Sequence, residues 1–261
     1  MKLSSDIAAV VTGGASGLGE ATARALAAKG VRVGIFDMNE ERGQNVADDI
    51  SGIFTKVDVS SNDSVDQGID FVRAANGQER IMINCAGIGM GMKTASRKRD
   101  TGEISAHDPA VFMKVIEINL IGSFLCASKS AAGMMSLDPT DPDGERGVII
   151  NTASVAAQDG QIGQVAYAAS KGGILSMALP MARDLAREGI RVATIAHALS
   201  LTPLLQGLPA EDQDSLGKQV PFPQRLGRPD EFAGMVGHIF ANTMLNGETI
   251  RLDGAIRMAP K

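Results

Sequence analysis

Tyr167 and Lys171 stand four residues apart in the run Tyr167-Ala168-Ala169-Ser170-Lys171. On a helix, positions i and i+4 share a face. An ammonium beside a phenol favours the phenolate and lowers its pKa, and a tyrosine tuned toward neutrality can exchange a proton with a substrate hydroxyl. Tyr167 is the one tyrosine in the chain, so no general aromatic core pattern accounts for it. The spacing alone is common and also fits a surface pair. Ser154 changes that weighting. It lies 13 residues before Tyr167 and just after the apolar run 147–152, where its hydroxyl can bond a carbonyl oxygen as charge develops there; the alternative is a strand-end cap. Asn119 is a polar residue in the apolar stretch Glu117-Ile118-Asn119-Leu120. Such an asparagine needs partners, and both a role in the site and a structural bond to backbone remain open.

A second constellation lies near the N-terminus. Thr12-Gly13-Gly14-Ala15-Ser16-Gly17-Leu18-Gly19 separates an apolar run from an Ala-rich helical segment. In that setting Gly13 allows the sharp turn, Gly17 allows backbone close to a pyrophosphate, and Gly19 allows tight packing of helix on strand. The helix N-terminus offers unpaired N–H groups to the phosphates. Gly13, Ser16, Gly17, Leu18 and Gly19 are therefore the phosphate-side candidates. Asp37 ends the next apolar run, 18 residues beyond Gly19, and Met38 and Asn39 follow it with no cation. A carboxylate there accepts hydrogen bonds from an adenosine ribose and repels a 2′-phosphate, so NAD is favoured over NADP; a solvated strand-end aspartate is the alternative. Asp58-Val59 and Asn84-Cys85-Ala86-Gly87 close two further strands, where ligands of open α/β sheets bind.

The elements that must carry these residues alternate regularly. Strands are expected at 7–11, 31–36, 53–57, 80–84, 147–152, 190–195 and 248–252, and helices at 20–29, 39–50, 64–75, 109–132 and 167–187, with a last helix from Pro229. Continuous apolar strands separated by helices predict an α/β Rossmann fold: a doubly wound parallel sheet with helices on both faces. With no internal repeat and no Pro/Gly/Ser-rich linker, residues 1–261 are read as a single domain. Three long loops stand apart. Residues 90–108 are polar and basic, with Lys93, Arg97, Lys98 and Arg99. Residues 137–146 are turn-rich, and 199–228 carry four prolines. Such loops serve as lids or interfaces, although surface decoration fits 137–146 equally well.

Composition narrows the function classes. A net charge of −5 disfavours nonspecific nucleic-acid or anionic-membrane binding. No uninterrupted apolar run of membrane-spanning length and no signal-peptide core are evident. Cys85 and Cys126 lie 41 residues apart, and with three histidines they make no plausible zinc set. No metal is expected, and two free thiols fit a reducing, cytoplasmic setting.

Taken together, Thr12-Gly13-x-x-x-Gly17-x-Gly19, Asn84-x-Ala86-Gly87, Asn119, Ser154 and Tyr167-x-x-x-Lys171 resemble the short-chain dehydrogenase/reductase family over essentially the whole chain. Within it, the chain looks closest to the type-2 3-hydroxyacyl-CoA dehydrogenase branch. The stretches behind that likeness are Val148-Ile149-Ile150-Asn151-Thr152-Ala153-Ser154, Leu179-Pro180-Met181-Ala182-Arg183-Asp184-Leu185-Ala186, Val220-Pro221-Phe222-Pro223-Gln224-Arg225-Leu226-Gly227 and Asn246-Gly247-Glu248-Thr249-Ile250-Arg251-Leu252-Asp253-Gly254. The loop 90–108 also sits where that branch has an insertion. The resemblance implies an NAD(H)-dependent oxidoreductase that interconverts a secondary alcohol and a ketone. Tyr167 would be the general acid/base, Lys171 would lower its pKa and hold the nicotinamide ribose, Ser154 would orient the substrate oxygen, and Asn119 would hold a water of a proton relay. The cofactor set would be Gly13, Ser16, Gly17, Leu18, Gly19, Asp37, Asp58, Val59, Asn84, Cys85, Ala86, Gly87, Tyr167, Lys171 and Thr202. A homotetramer with helices 109–132 and 167–187 at one interface is also implied.

One segment departs from the pattern. Where the family has Pro-Gly after the 190–195 strand, this chain has His197-Ala198, and Leu201 replaces a small residue. His197 thus either joins the substrate site or marks a repacked turn. Three functions remain in view. The first is a 3-hydroxyacyl-CoA dehydrogenase whose basic loop meets CoA phosphates. The second is a dehydrogenase for a secondary alcohol, hydroxysteroid or bulky ketone. The third is a catalytically silent dinucleotide-binding scaffold, against which the retained Ser154, Tyr167 and Lys171 argue.

Overall fold

The computed structural model describes residues 1–201 and 209–260. Seven parallel strands form one sheet in the order β3-β2-β1-β4-β7-β8-β9: β1 (Ala8–Thr12), β2 (Arg32–Asp37), β3 (Ile53–Lys56), β4 (Ile81–Asn84), β7 (Gly147–Ser154), β8 (Ile190–His197) and β9 (Thr249–Leu252). Successive residues of one strand serve opposite faces, and both faces are buried. Ala9 and Val11 pack with helices α1 (Gly17–Ala27) and α9 (Pro229–Ala241) through Leu26, Phe232, Val236 and Ile239. Val10, Met82 and Ile149 pack on the other face with α3 (Asn62–Asn76), α5 (Gly122–Met134) and α7 (Val165–Leu185) through Val65, Ile69, Cys126 and Met181. This is why the strands read as unbroken apolar runs. Helix α2 (Glu40–Asp49) adds Val46 to the first face. Cys85 and Cys126 are free thiols.

The strand order reverses between β1 and β4. Their connections leave in opposite directions, and a crevice opens at the carboxyl ends of the strands, the place where α/β sheets bind ligands. Every element that could serve the site feeds that end.

Local chemistry explains the boundaries. Asn39, Ser61 and Asp108 cap α2, α3 and α4 (Pro109–Ile116) by accepting from Arg42, Ser64 and Ala110 N–H. Pro109 occupies the first turn of α4, where no donor is lost. Helix α1 ends against Gly30 at φ +86, with Val31 N–H closing on Leu26 O. It begins at Gly17 rather than at Glu20, because the glycine turn leads straight into the first helical turn and Leu18 is already buried. The stretch Pro109–Met134 is helical throughout but carries a π-turn at Glu117–Ile121 between α4 and α5, and π-turns recur at functional sites. By length and composition this stretch could cross a membrane, with mean hydropathy 1.7 over a window one third buried. Its inner side is the Val115, Cys126 and Met134 core, and its outer side exposes Met113, Ile121 and Phe124.

Two of the long loops contain structure that their composition hides. Residues 90–108 include an antiparallel pair, β5 (Ala95–Arg97) and β6 (Ile104–Ala106), exposed along its length and tied by Lys98–Glu103 at 2.6 Å. No apolar face marks it, so period-2 alternation could not. The loop after β8 contains α8 (Ala210–Gly217) and a bridge between Ser200 and Gly227. The loop 137–146 lies at the opposite end of the sheet from the crevice. It delivers Glu145, 5% exposed, to Arg191 at 2.7 Å, and Arg191 also donates to the carbonyls of Ile239 and Leu245. It is a structural strut rather than decoration. Glu145→Ala leaves a buried guanidinium without its carboxylate, so it should cost about 3–5 kcal/mol, read as a lower urea midpoint at unchanged m-value.

Candidate active site

The crevice is closed at its base by one hydroxyl. Thr12, the last residue of β1, accepts hydrogen bonds through Oγ1 from Cys85 N and Ala86 N, both at 3.1 Å. This joins the two diverging strands. Over the joint runs the glycine turn. A Cβ added at Gly13 (φ +66) would lie 2.8 Å from Ala86 N, and one at Gly19 would lie 2.2 Å from Gly13 O. Backbone cannot yield to such contacts, so the turn exists only with glycine at both positions. Ser16 and Leu18 flank Gly17, whose φ is +56, and the N–H groups opening α1 face the crevice end of the sheet. The geometry fits a dinucleotide pyrophosphate, for which backbone approach and N–H donors are what is required.

Asp37 at the tip of β2 folds back onto this turn. Its Oδ2 accepts from Ala15 N at 3.0 Å and its Oδ1 from Asn39 N at 2.9 Å. Lys56, its register partner on β3, is taken by Glu40 at 2.6 Å. Asp58, after β3, accepts from Ser60 N and Oγ, while Val59 is buried beneath Gly122 of α5. Asn84 turns its side chain inward, donating to Asn151 Oδ1 at 2.9 Å and Ser123 O at 3.2 Å. It ties β4 to β7 and α5, and offers the crevice only backbone. Thr202 lies outside the described residues.

Ser154, Tyr167 and Lys171 come together across β7 and α7. Ser154 ends β7, pairs in register with His197 of β8, and accepts from Ala156 N. Its hydroxyl lies close enough to the Tyr167 phenol to lower the phenol's pKa. The Lys171 ammonium, 4% exposed, lies 5.8 Å from the Tyr167 ring centroid and donates to Thr152 O at 2.7 Å. A Cβ on Gly87 would come within 3.6 Å of Lys171 Nζ and 3.1 Å of Asn119 Oδ1, so the segment after β4 passes directly over the lysine. Asn119, on the π-turn, clamps Ile88 through N–H···Oδ1 at 2.8 Å and Nδ2···O at 2.9 Å, and donates to Ser170 Oγ at 3.1 Å. Its side chain thus makes the structural bonds to backbone, while holding the wall that faces Lys171.

Electrostatics follow burial. Burial brings the Lys171 pKa down to about 8, so it remains mostly charged at neutral pH. Burial also raises the Tyr167 pKa, and the Ser154 hydroxyl pulls it back. The lowering expected of a nearby ammonium does not enter that balance. Cys85 is pushed up to about 11 by burial, against a bond to Thr152 and the Lys171 charge, so it is a thiol and not a nucleophile. His197 is brought down to about 4, first by burial and then by Lys171. Its Nδ1 lies 2.7 Å from Ala198 O, and its ring meets Phe232 edge-on at 6.3 Å. His197 is a neutral, repacked strand end beside the site. Thr152 and Ser170 carry no motif signal of their own, and Thr12 reads only as the head of the glycine turn. Their signal was position, as hydroxyls at strand ends or one residue before the lysine.

Comparison with known proteins agrees with this geometry. The family model described as short chain dehydrogenase matches residues 7–213. A 3-hydroxyacyl-CoA dehydrogenase type-2 of Rattus norvegicus is 47% identical over 97% of this chain and 96% of its own length. One of Drosophila melanogaster is 46% identical over 96% and 97%. The crystal structure of a 3-hydroxyacyl-CoA dehydrogenase type-2 from Mycobacterium avium superposes with TM-score 0.91 at 40% identity, covering 98% of each chain.

The depressed pKa of His197 predicts a pH effect. Between pH 6.5 and about 4 the unfolded chain takes up a proton that the folded chain refuses. The resulting stability is full above pH 6.5 and is lost as pH falls through that window. His197→Gln should therefore flatten the fall of Tm between pH 6.5 and 4 relative to wild type, measured by calorimetry.

Proposed function

The chain belongs to the short-chain dehydrogenase/reductase family, and on that footing we propose that it is an NAD(H)-dependent 3-hydroxyacyl-CoA dehydrogenase. It is an oxidoreductase acting on CH–OH donors, and its cofactor is a nicotinamide dinucleotide. The observation that carries the proposal is near-half identity, over almost the whole length, to proteins bearing that name, joined to a Ser154–Tyr167–Lys171 grouping at the crevice.

When bound, the nicotinamide ring supplies or accepts the hydride. The chain supplies position and protons. Gly13, Ser16, Gly17, Leu18 and Gly19 would hold the pyrophosphate, Asp37 the adenosine ribose, and Asp58, Val59 and the 84–87 segment the adenine-side wall. Ser154 holds the substrate oxygen. Tyr167, beside Ser154, gives that oxygen its proton in reduction and takes it in oxidation. Lys171, fixed by Thr152 O, binds the nicotinamide ribose and keeps a positive charge near the phenol. Asn119 serves the proton relay by fixing Ile88 and Ser170 around the lysine. Thr202 is proposed to reach the nicotinamide amide.

NAD rather than NADP is supported by the Asp37 carboxylate and by the pairing of Lys56 with Glu40, which leaves a 2′-phosphate no free cation at that strand pair. Lys93, Arg97, Lys98 and Arg99 on the hairpin are proposed to face the CoA phosphates. A homotetramer is supported by the exposed Met113, Ile121, Phe124 and Leu179 on the helices of the expected interface. A second reading, a dehydrogenase for a bulkier free ketone, is favoured by the altered strand end at His197 and would take precedence if acetoacetyl-CoA were inert.

Wild type should oxidise NADH with acetoacetyl-CoA, and Tyr167→Phe should lower kcat by about 10²–10⁴-fold. Absence of turnover, beside good activity on a free ketone, would sink the thioester assignment. Asp37→Ala should lower the NAD-over-NADP ratio of kcat/KM by about tenfold or more, equivalent to about 1.4 kcal/mol of lost like-charge repulsion.

A further inference from the structure

A cavity of about 390 Å³ opens at the first turn of α7, between Lys93, Thr94 and Ala95 on one side and residues 160–165 with Ala168, the residue after the tyrosine, on the other. Its second wall is a loop with almost no core. Gly160 is exposed and Ile162 is 52% exposed at the tip. A segment without buried apolar contacts opens readily, so its hydrogen bonds decide where it stands. Gly163 O accepts from Met92 N at 2.8 Å on the hairpin side. On the other side Ile162 N donates to Pro260 O at 3.0 Å, and Gln161 Nε2 to Ala259 O at 3.0 Å. The wall is thus pinned from its outer side by residues nearly a hundred positions away.

The strap that carries those residues is rooted on one guanidinium. Arg251, on β9, is 20% exposed and donates in four directions. Nε reaches Asp253 at 2.8 Å, Nη1 reaches Gln158 at 2.5 Å, and Nη2 reaches Asp159 at 2.7 Å and Ile256 O at 3.1 Å. Gln158 and Asp159 belong to or adjoin α6 (Ala156–Asp159), which runs into the wall. Ile256, 1% exposed, starts the outer strap after a turn in which the non-glycine Ala255 adopts φ +68. A backbone in that region is held by its surroundings rather than by preference. Asp253 supports it by accepting from Ala255 N at 3.0 Å. Only a planar, multiply donating group can bind the wall's root and the strap's root at once.

We propose that Arg251 is a positioning residue for substrate: it clasps residues 255–260 to the loop 158–164 and so sets the wall of the cavity that receives the part of the substrate beyond the reacting carbon. Arg251 touches neither the reacting atoms nor the cofactor crevice. Tyr167 and Lys171 sit on α7, which Lys171 anchors to Thr152 O of β7, so loss of the clasp acts on substrate binding more than on the chemical step. The substrate in question rests on the thioester reading above.

The test uses the full-length enzyme and two readouts. In Arg251→Met, hydrogen–deuterium exchange of residues 158–164 should rise by about tenfold, the loss of a charge-assisted bond. KM for acetoacetyl-CoA should rise by about five- to twentyfold with kcat and NADH affinity within about twofold. Arg251→Lys keeps the charge but not the fork and should behave like Met. Asp159→Ala, which removes one arm of the clasp at a residue that does not line the cavity, should give the same split at smaller size and covers the case in which Arg251→Met fails to fold. Unchanged exchange in a folded Arg251 variant overturns the proposal. So does raised exchange with wild-type KM, or a parallel loss of kcat, cofactor affinity and Tm. A wild type inert toward acetoacetyl-CoA sinks the thioester assignment alone, and exchange together with KM on a free ketone then decides the clasp.

Discussion

The interior ammonium of Lys171 is the constraint around which the site is arranged. A charge that is 4% exposed is tolerated only where dipoles replace water. Here the replacement comes from a strand that has run past the end of its β4 neighbour. The Thr152 carbonyl near the end of β7 points at Nζ. Gly87 brings backbone close above it because it has no side chain, and Asn119 and Ser170 fix that backbone and the helix beneath. The same burial that draws Lys171 down to about 8 draws His197 down to about 4 and drives Cys85 up to about 11. One dry pocket therefore leaves a single cation among groups kept neutral.

That pocket exists because the sheet reverses its strand order between β1 and β4. At the reversal, connections diverge and backbone donors lose their ladder partners. Thr12 Oγ1 takes two of them, and the glycine turn lies over the joint at distances no Cβ permits. The opposite end of the sheet has the contrary task. There Glu145 and Arg191 bond each other and the neighbouring carbonyls, closing the base so that the open end can carry mobile chemistry. Support and reactivity are segregated along the strand axis.

The wall of the larger cavity obeys a different rule. It is neither strand nor core, and it stands where a hydrogen bond from Met92 N and its own bonds to the Ala259 and Pro260 carbonyls leave it. Such a wall can vary in sequence and reach without disturbing the sheet.

The sequence by itself determined the sheet, because unbroken apolar strands between capped helices have one economical packing. It also determined the residue types of the centre, since Gly13, Gly19, Ser154, Tyr167 and Lys171 are each called for by local chemistry at a recognisable spacing. The tertiary structure decided what depends on contacts between distant segments. It turned Asn84 and Asn119 onto backbone and side-chain partners, and it made burial the main influence on the Tyr167 phenol. It also folded the polar run 90–108 into a hairpin without an apolar face, and it assigned Glu145 to Arg191. Spacing records what lies along the chain. Desolvation and hydrogen-bond partnership depend on what lies across it, and no local pattern carries them.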